Sequence, residues 1–427
     1  MIGTGVFTSL GFQVVGLKSG FALLFLWFLG GVSALFGAFV YAELGAAMPR
    51  SGGEYNFLSR IYHPALGFLS GWVSFIIGFA APVAAASIAF GSYFLTPIQS
   101  YFDLANGVDI IDGIDNAKLI AALVIISFTV LHASDKRIGA LFQNVLTTFK
   151  ILVIVVLIII GFVYGGSGDV KFELNVEAWR ELTSPAFFIS LFFVSYSYAG
   201  WNAAAYIAGE VNNPQRNIPL SLIIGTSLVI GLYVLLNFVF LYSIPLDKMV
   251  GEIEIGYLFG SSILGPGAAN IMGVIIAFIL LSTISSMILT GPRVTQVMGE
   301  DFSLFKWLGD KTNKDIPAKA IMIQGIISII YLATATFEQM IIYIAFTLNL
   351  STLLVVIGVL VSRVKQKNLA RPFITPGYPF VPILFIVLNT WILGYGLIYK
   401  PYESMAGVAI TLIGLVIYYI DKWRNFS

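Results

Sequence analysis

The chain is a succession of apolar runs, most of them about 20 residues or longer, separated by short polar joints. A helix of that length crosses the hydrocarbon core of a bilayer. In hydrocarbon, each backbone N–H and C=O must be satisfied inside its own segment. The pattern therefore predicts an all-α polytopic membrane protein. Charged residues make up 11% of the chain and hydrophobic residues 58%, whereas soluble domains carry about 25% charged residues. Full spans are expected at 21–48, 65–101, 118–132, 138–164, 185–209, 218–242, 265–298, 318–335, 339–361, 378–399 and 405–420. They follow an opening segment, 1–16, too short to span comfortably. No stretch reads as a separate soluble domain, so 1–427 is taken as one transmembrane unit.

Two places violate the rule for a continuous span. Ser195-Tyr196-Ser197-Tyr198-Ala199-Gly200-Trp201-Asn202 puts hydroxyls, a glycine and an amide in the middle of the run 185–209. Gly3-Thr4-Gly5-Val6-Phe7 has the same character at the start of the chain. Such groups are costly in lipid unless they line a cavity or face protein. Both stretches read as helix breaks around a site at mid-membrane depth. Paired interruptions in two halves of a chain point to a transporter binding site.

The remaining composition narrows the function. Net charge is +1, which gives a nucleic-acid partner no support. There is no cysteine, so no disulfide-linked partner subunit and no thiolate chemistry are expected. His63 and His132 are too sparse for a metal cluster, and no cofactor is implied. A membrane-embedded enzyme would need convergent His, Asp or Glu at mid-membrane, and the expected helix centres lack them. A channel would need a ring of like groups. A membrane sensor built on the same architecture stays open. The expected partners are a small-molecule substrate and the lipid bilayer.

Orientation follows from the basic residues. With the C-terminus in the cytoplasm, sixteen lysines and arginines fall in cytoplasmic joints, among them Arg50, Arg216, Lys314, Arg363 and Arg371. Six fall outside. This is a positive-inside bias. The outer joints are acidic, with Asp103, Asp109, Asp112 and Asp115 in one of them.

An ordered set of motifs carries a family resemblance. Gly3-Thr4-Gly5-Val6-Phe7 resembles the first-helix motif of the amino acid–polyamine–organocation superfamily. Tyr41-Ala42-Glu43-Leu44-Gly45, followed by Pro49-Arg50-Ser51-Gly52-Gly53-Glu54-Tyr55, is similar to its second-helix signature. Tyr198-Ala199-Gly200-Trp201-Asn202, Glu210 and 213–219 resemble the L-type amino acid transporter branch, as do Arg371-Pro372-Phe373 and Pro376-Gly377-Tyr378-Pro379. The resemblance covers essentially the whole chain. It implies a LeuT-type fold of two inverted five-helix repeats, about 1–164 and 184–361, with two extra helices at about 378–420. In that family the first motif sits inside a complete spanning helix, so the first of twelve spans reads as N-terminally truncated here.

The chemistry follows from the breaks. A helix N-terminus carries unpaired N–H groups and partial positive charge, which suits a carboxylate. A helix C-terminus offers free carbonyls to an ammonium. One break thus suits each end of an α-amino acid, with Gly3 and Gly5 letting a ligand reach the backbone. By resemblance, Thr4 and Gly5 donate to the carboxylate, and the carbonyls of Met1, Tyr196 and Ala199 lie near the amine. Tyr196 also stands at the family's gate position, and Asn202 is a polar neighbour. Trp201 and Tyr198 are as readily packing residues, Glu43, Glu210 and Arg216 read equally as a salt-bridged joint or as a gate, and Glu54 and Arg50 read as joint structure.

Lys150 lies well inside 138–164, where an ammonium is costly and marks function. The resemblance agrees: sodium-independent members carry a lysine here, where sodium-coupled relatives hold an ion. Its expected partners are carbonyls around Gly3 and hydroxyls among Ser282, Ser285 and Ser286. With no carboxylate at a helix centre, the expected substrates are neutral L-amino acids, carried without sodium.

Overall fold

The computed structural model describes residues 1–102, 115–134, 136–312 and 316–424. The expectations at Asp103, Asp109, Asp112 and Lys314 lie outside these residues. The helices are α1 (Gly5–Gln13), α2 (Gly20–Ala47), α3 (Glu54–Ile61), α4 (Pro64–Val73), α5 (Ala80–Phe102), α6 (Asn116–Ser134) and α7 (Lys136–Tyr164). Then come α8 (Val176–Leu182), α9 (Pro185–Tyr198), α10 (Ala203–Tyr206), α11 (Pro214–Ser243), α12 (Leu246–Met249), α13 (Ile255–Leu264) and α14 (Pro266–Asp301). The chain continues through α15 (Lys306–Gly309), α16 (Ala318–Thr334), α17 (Phe337–Lys365), α18 (Phe380–Tyr399) and α19 (Pro401–Arg424). Among the described residues, nine helical stretches are long and apolar enough to cross a membrane, with α4 and α5 counted as one.

The expected all-α polytopic architecture is what forms. The run expected at 185–209 divides into α9 and α10, separated by 199–202. The run at 65–101 contains a π-helical stretch, Ser74–Gly78, between α4 and α5. Pro82 sits just beyond it and has no N–H to return to the Gly78 carbonyl. Helix starts follow local chemistry. Ser184 caps α9 by accepting from Phe187 N–H at 3.3 Å, and Pro185 takes the first helical position. Thr336 and Gln339 form a reciprocal capping box that starts α17 two residues earlier than the apolar pattern does.

The helices pack as inside-out amphipaths. On α7, Leu152, Val156, Ile159 and Val163 are exposed at helical spacing, while Lys150, Ile154 and Leu157 are buried on the opposite side. In a bilayer the first set faces lipid. Inside, α2 packs along α11, α5 along α14, α6 against α16, and α1 against α9. Trp27, Tyr198 and Tyr233 meet in the interior, with ring centroids 5.7 Å apart for Trp27 and Tyr233 and 5.0 Å for Tyr198 and Tyr233.

One buried charge holds the late motif to the bundle. Glu43 on α2 has no exposed surface. Its carboxylate accepts from Arg363 Nη2 at 2.6 Å and Thr375 N at 2.8 Å, and Arg371 Nε lies 3.3 Å away. Arg363 also stacks on Tyr378 at 3.7 Å from the ring centroid. Glu43→Ala leaves two largely covered guanidiniums without their anion, which should destabilise the fold by about 3 kcal/mol. Thermal denaturation in detergent reads this as a clear drop in melting temperature. An unchanged melting temperature would mean the clamp is dispensable.

Candidate substrate site at two helix breaks

The first stretch expected to break a helix, 3–7, leads into α1. Its initial turn has N–H groups with no partner inside the helix. Thr4 precedes α1, and its buried hydroxyl makes no hydrogen bond. The second break follows α9. Ala199 is extended, Gly200 adopts φ +88°, and Asn202 precedes α10. A non-glycine residue at Gly200 would meet the steric penalty of the left-handed region. The last carbonyls of α9 are thereby left outside the helical ladder.

The two breaks are tied closely. Ser9 and Ser197 hydroxyls lie 3.0 Å apart, and Ser197 Oγ donates to the Phe193 carbonyl at 2.7 Å. A Cβ on Gly5 would fall 2.3 Å from Ser197 Oγ and 2.5 Å from its Cα. Gly5 therefore serves close packing, and it lines the cavity as well.

One cavity lies between the breaks. Met1, Gly3, Thr4, Gly5, Tyr196, Ala199 and Asn202, the expected substrate residues, all line it. Gly78, Phe79 and Pro82 from the π-helical region and Tyr206 on α10 complete part of the wall. From α14 come Thr283, Ser286, Met287 and Thr290, spaced as one helix face. Among the described residues, none that lines it carries a charged side chain. Tyr196 is 8% exposed and also borders a second cavity, with Ser33, Asn349 and Asn389, behind the break.

Lys150 is 4% exposed and points at the first break. Its ammonium donates to the Ile2 carbonyl at 2.6 Å and the Thr283 hydroxyl at 3.3 Å. The carbonyl, that of Ile2, lies next to Gly3 as expected, whereas the hydroxyl is that of Thr283 rather than Ser282, Ser285 or Ser286. The register of α14 explains the difference. Ser282 and Ser285 turn away from the cavity, Ser285 bonding His132 Nε2 at 2.9 Å, while Thr283 and Ser286 face it.

Other groups hold the backbone at the breaks. Tyr233 Oη lies 3.1 Å from the Met1 carbonyl and 3.2 Å from the Ser197 carbonyl, bridging both breaks from α11. Tyr93 Oη donates to the Phe7 carbonyl at 2.8 Å. Sequence reasoning named neither; a phenol alone inside an apolar span was the available signal. Tyr198 donates to the Trp27 carbonyl at 3.1 Å, and Trp201 packs on Tyr41 with centroids 4.7 Å apart, so both are packing residues here. Glu210 pairs with Arg293 on α14 at 3.0 Å. Glu54, expected to be joint structure, lies buried against Asn202 (Asn202 Nδ2 to Glu54 Oε1, 2.6 Å).

The start of α1 and the interruption between α9 and α10 present opposed backbone poles to one cavity inside a bundle of spanning helices, an internal site in a polytopic membrane protein. The sequence comparisons narrow the class. The family described as amino acid permease matches residues 1–420, and the chain belongs to it. The chain is similar to the b(0,+)-type amino acid transporter 1 of Mus musculus, 28% identical across 100% of this chain and 86% of that one. It is also similar to the cystine/glutamate transporter of Homo sapiens, at 27% across 98% and 82%. The large neutral amino acids transporter small subunit 2 of Mus musculus is 25% identical across 100% and 79%.

Gly5→Ala should overpack the contact with Ser197, at a cost of about 1–3 kcal/mol, and weaken amino-acid binding. Gly225→Ala is the control, because a Cβ there meets nothing within 4 Å. Thermal stability and ligand-induced stabilisation of the purified variants check this. Equal values for the two variants would remove the packing argument.

Proposed function

We propose that the chain is a sodium-independent secondary transporter of neutral L-amino acids, working by alternating access, through exchange or proton-linked uptake, across the cell membrane. The observation that carries the reading is the cavity between the breaks. It offers N–H groups of α1 on one side, α9 carbonyls on the other, and no charged side chain for a substrate side chain to meet. A cationic or acidic substrate side chain would be desolvated there without an opposite charge.

Within this reading Thr4 and Gly5 hold the carboxylate, and the carbonyls of Met1, Tyr196 and Ala199 face the amine. Asn202 borders the side chain, and Tyr196 gates the cavity. Gly3 keeps the first break open to ligand, and Ser286 offers a hydroxyl from α14. The two halves, about 1–164 and 184–361, are inverted repeats, followed by two extra helices. Pairing of α1 with α9, α2 with α11, α5 with α14 and α6 with α16 supports this, since each pair joins elements at matching places in the two halves. The C-terminus faces the cytoplasm, in keeping with the basic joints around Arg50, Arg363 and Arg371. The similar proteins, whose names span b(0,+)-type, cystine/glutamate and large neutral amino acid transport, support the amino-acid part of the reading.

Lys150 is the fixed cation that stands where an ion would sit in a sodium-coupled carrier. Its bonds to Ile2 and Thr283 bridge the first break to α14, and they break as the two move apart. Lys150→Ala is expected to cut transport at least about tenfold, equivalent to 1.4 kcal/mol on the barrier, with the melting temperature retained. Near-normal transport by that variant would remove the role.

Replacing sodium by choline should leave uptake by the parent unchanged. Alanine, serine and leucine should compete for uptake into proteoliposomes better than arginine, lysine or glutamate. The reverse order, or a strict sodium requirement, would defeat the reading.

A further inference from the structure

Glu54 is the first residue of α3, the short helix joining α2 to α4, which lies outside the nine membrane-crossing stretches. It is nonetheless 1% exposed. Its Oε1 accepts from Tyr41 Oη on α2 at 2.8 Å and from Asn202 Nδ2 at 2.6 Å. Its Oε2 is buried as well.

The titratable groups that face it are Tyr41 and, on α10, Tyr206, whose hydroxyl also lies 3.4 Å from Asn202 Nδ2. Both are phenols, and Asn202 is a neutral amide. Among the described residues no cation lies within ion-pairing distance of Glu54. The charged groups nearby are committed elsewhere. Arg50 pairs with Asp301 at 2.9 Å, Arg293 with Glu210 at 3.0 Å, and Glu43 with Arg363 at 2.6 Å.

A carboxylate taken out of water among two phenols and a neutral amide, with no cation beside it, is an unfavourable arrangement. A proton on the carboxyl relieves it. Burial raises the Glu54 pKa above the ordinary carboxylate value, against the opposing effect of donors from Tyr206, Tyr41 and Asn202. The position matters as much as the burial. Asn202, which touches the carboxyl, lines the substrate cavity and directly precedes α10. One side chain therefore separates the acid from the cavity.

We propose that Glu54 is a proton-binding site of the transport cycle, neutral while α10 is seated on the joint between α2 and α3, where the Gly52 and Gly53 N–H groups bond the Tyr206 and Ala205 carbonyls, and ionised when α10 moves off and water enters. On opening, the carboxyl O–H bond breaks, its electron pair stays on the carboxylate, and the proton passes to water. The seated form holds a proton that the open form lacks. Lowering the pH on the α3 face therefore favours seating, and raising it through the Glu54 pKa favours opening. The inference deepens the transport reading and rests on it, and it is separate from the role of Lys150.

Infrared difference spectra of the purified full chain test protonation directly, between about pH 5.5 and about pH 8.5. A protonated-carboxyl band present in the parent and absent from Glu54→Gln is expected. Identical bands in the two proteins would overturn the proposal. The second arm is amino-acid exchange in proteoliposomes over the same range. The parent rate should change about tenfold with pH and that of Glu54→Gln less than about twofold. Glu54→Asp keeps a titratable group and should show a displaced midpoint, which covers the case of a Gln variant that does not fold. A merely structural role would lower all rates equally and leave the profile's shape unchanged, which would also overturn the proposal. A parent that exchanges no amino acid at any pH defeats the transport reading instead, and the infrared arm still decides whether Glu54 carries the proton.

Discussion

Hydrocarbon cannot hydrogen-bond to a peptide group, and the two helix breaks exist under that constraint. A continuous helix satisfies its own backbone, whereas an interrupted one exposes N–H and C=O groups that must find partners or line a cavity. Here the partners come from the surrounding helices. Tyr233 bridges the Met1 and Ser197 carbonyls, Tyr93 reaches the Phe7 carbonyl, and Lys150 reaches Ile2. What these donors leave unclaimed faces the cavity, so the same unpaired groups that threaten the fold provide the means of holding a solute.

Much of this was legible in the sequence, because lipid imposes a coarse code. Apolar run length locates spans, and a cluster such as 195–202 inside a run marks a break. The seven residues assigned to the substrate share one cavity for that reason. Lys150 was legible because an ammonium at mid-span has few innocent explanations. Its partners were less so. Ser282, Thr283, Ser285 and Ser286 crowd two turns of α14, and about 100° of rotation per residue decides which hydroxyl meets the cavity. Apolar composition on all sides of α14 hides that angle.

The joints were the least legible part. Hydropathy treats 49–63 as a polar interval between spans, yet 54–61 folds into a helix beneath the cavity and buries a carboxyl. Nothing in the periodicity of so short a segment reveals which distant groups it meets. Tyr41, Asn202 and Tyr206 come to Glu54 from other elements of the chain, and only tertiary contact makes the acid more than joint structure. The π-helical stretch at Ser74–Gly78 escaped for a similar reason. Pro82 was visible, but the turn before it that adjusts to the lost N–H was not.

The contact between Gly5 and Ser197 has a kinematic consequence. With no room for a single carbon between them, and with Ser9 bonded to Ser197, α1 and α9 share a pivot. They cannot slide apart along their common seam without tearing the contact that shapes the cavity. The free coordinate is rotation of the pair as one lever. Any gate built on this scaffold would then turn at the bottom of α9, where Gly200 and the short α10 give the chain its hinge.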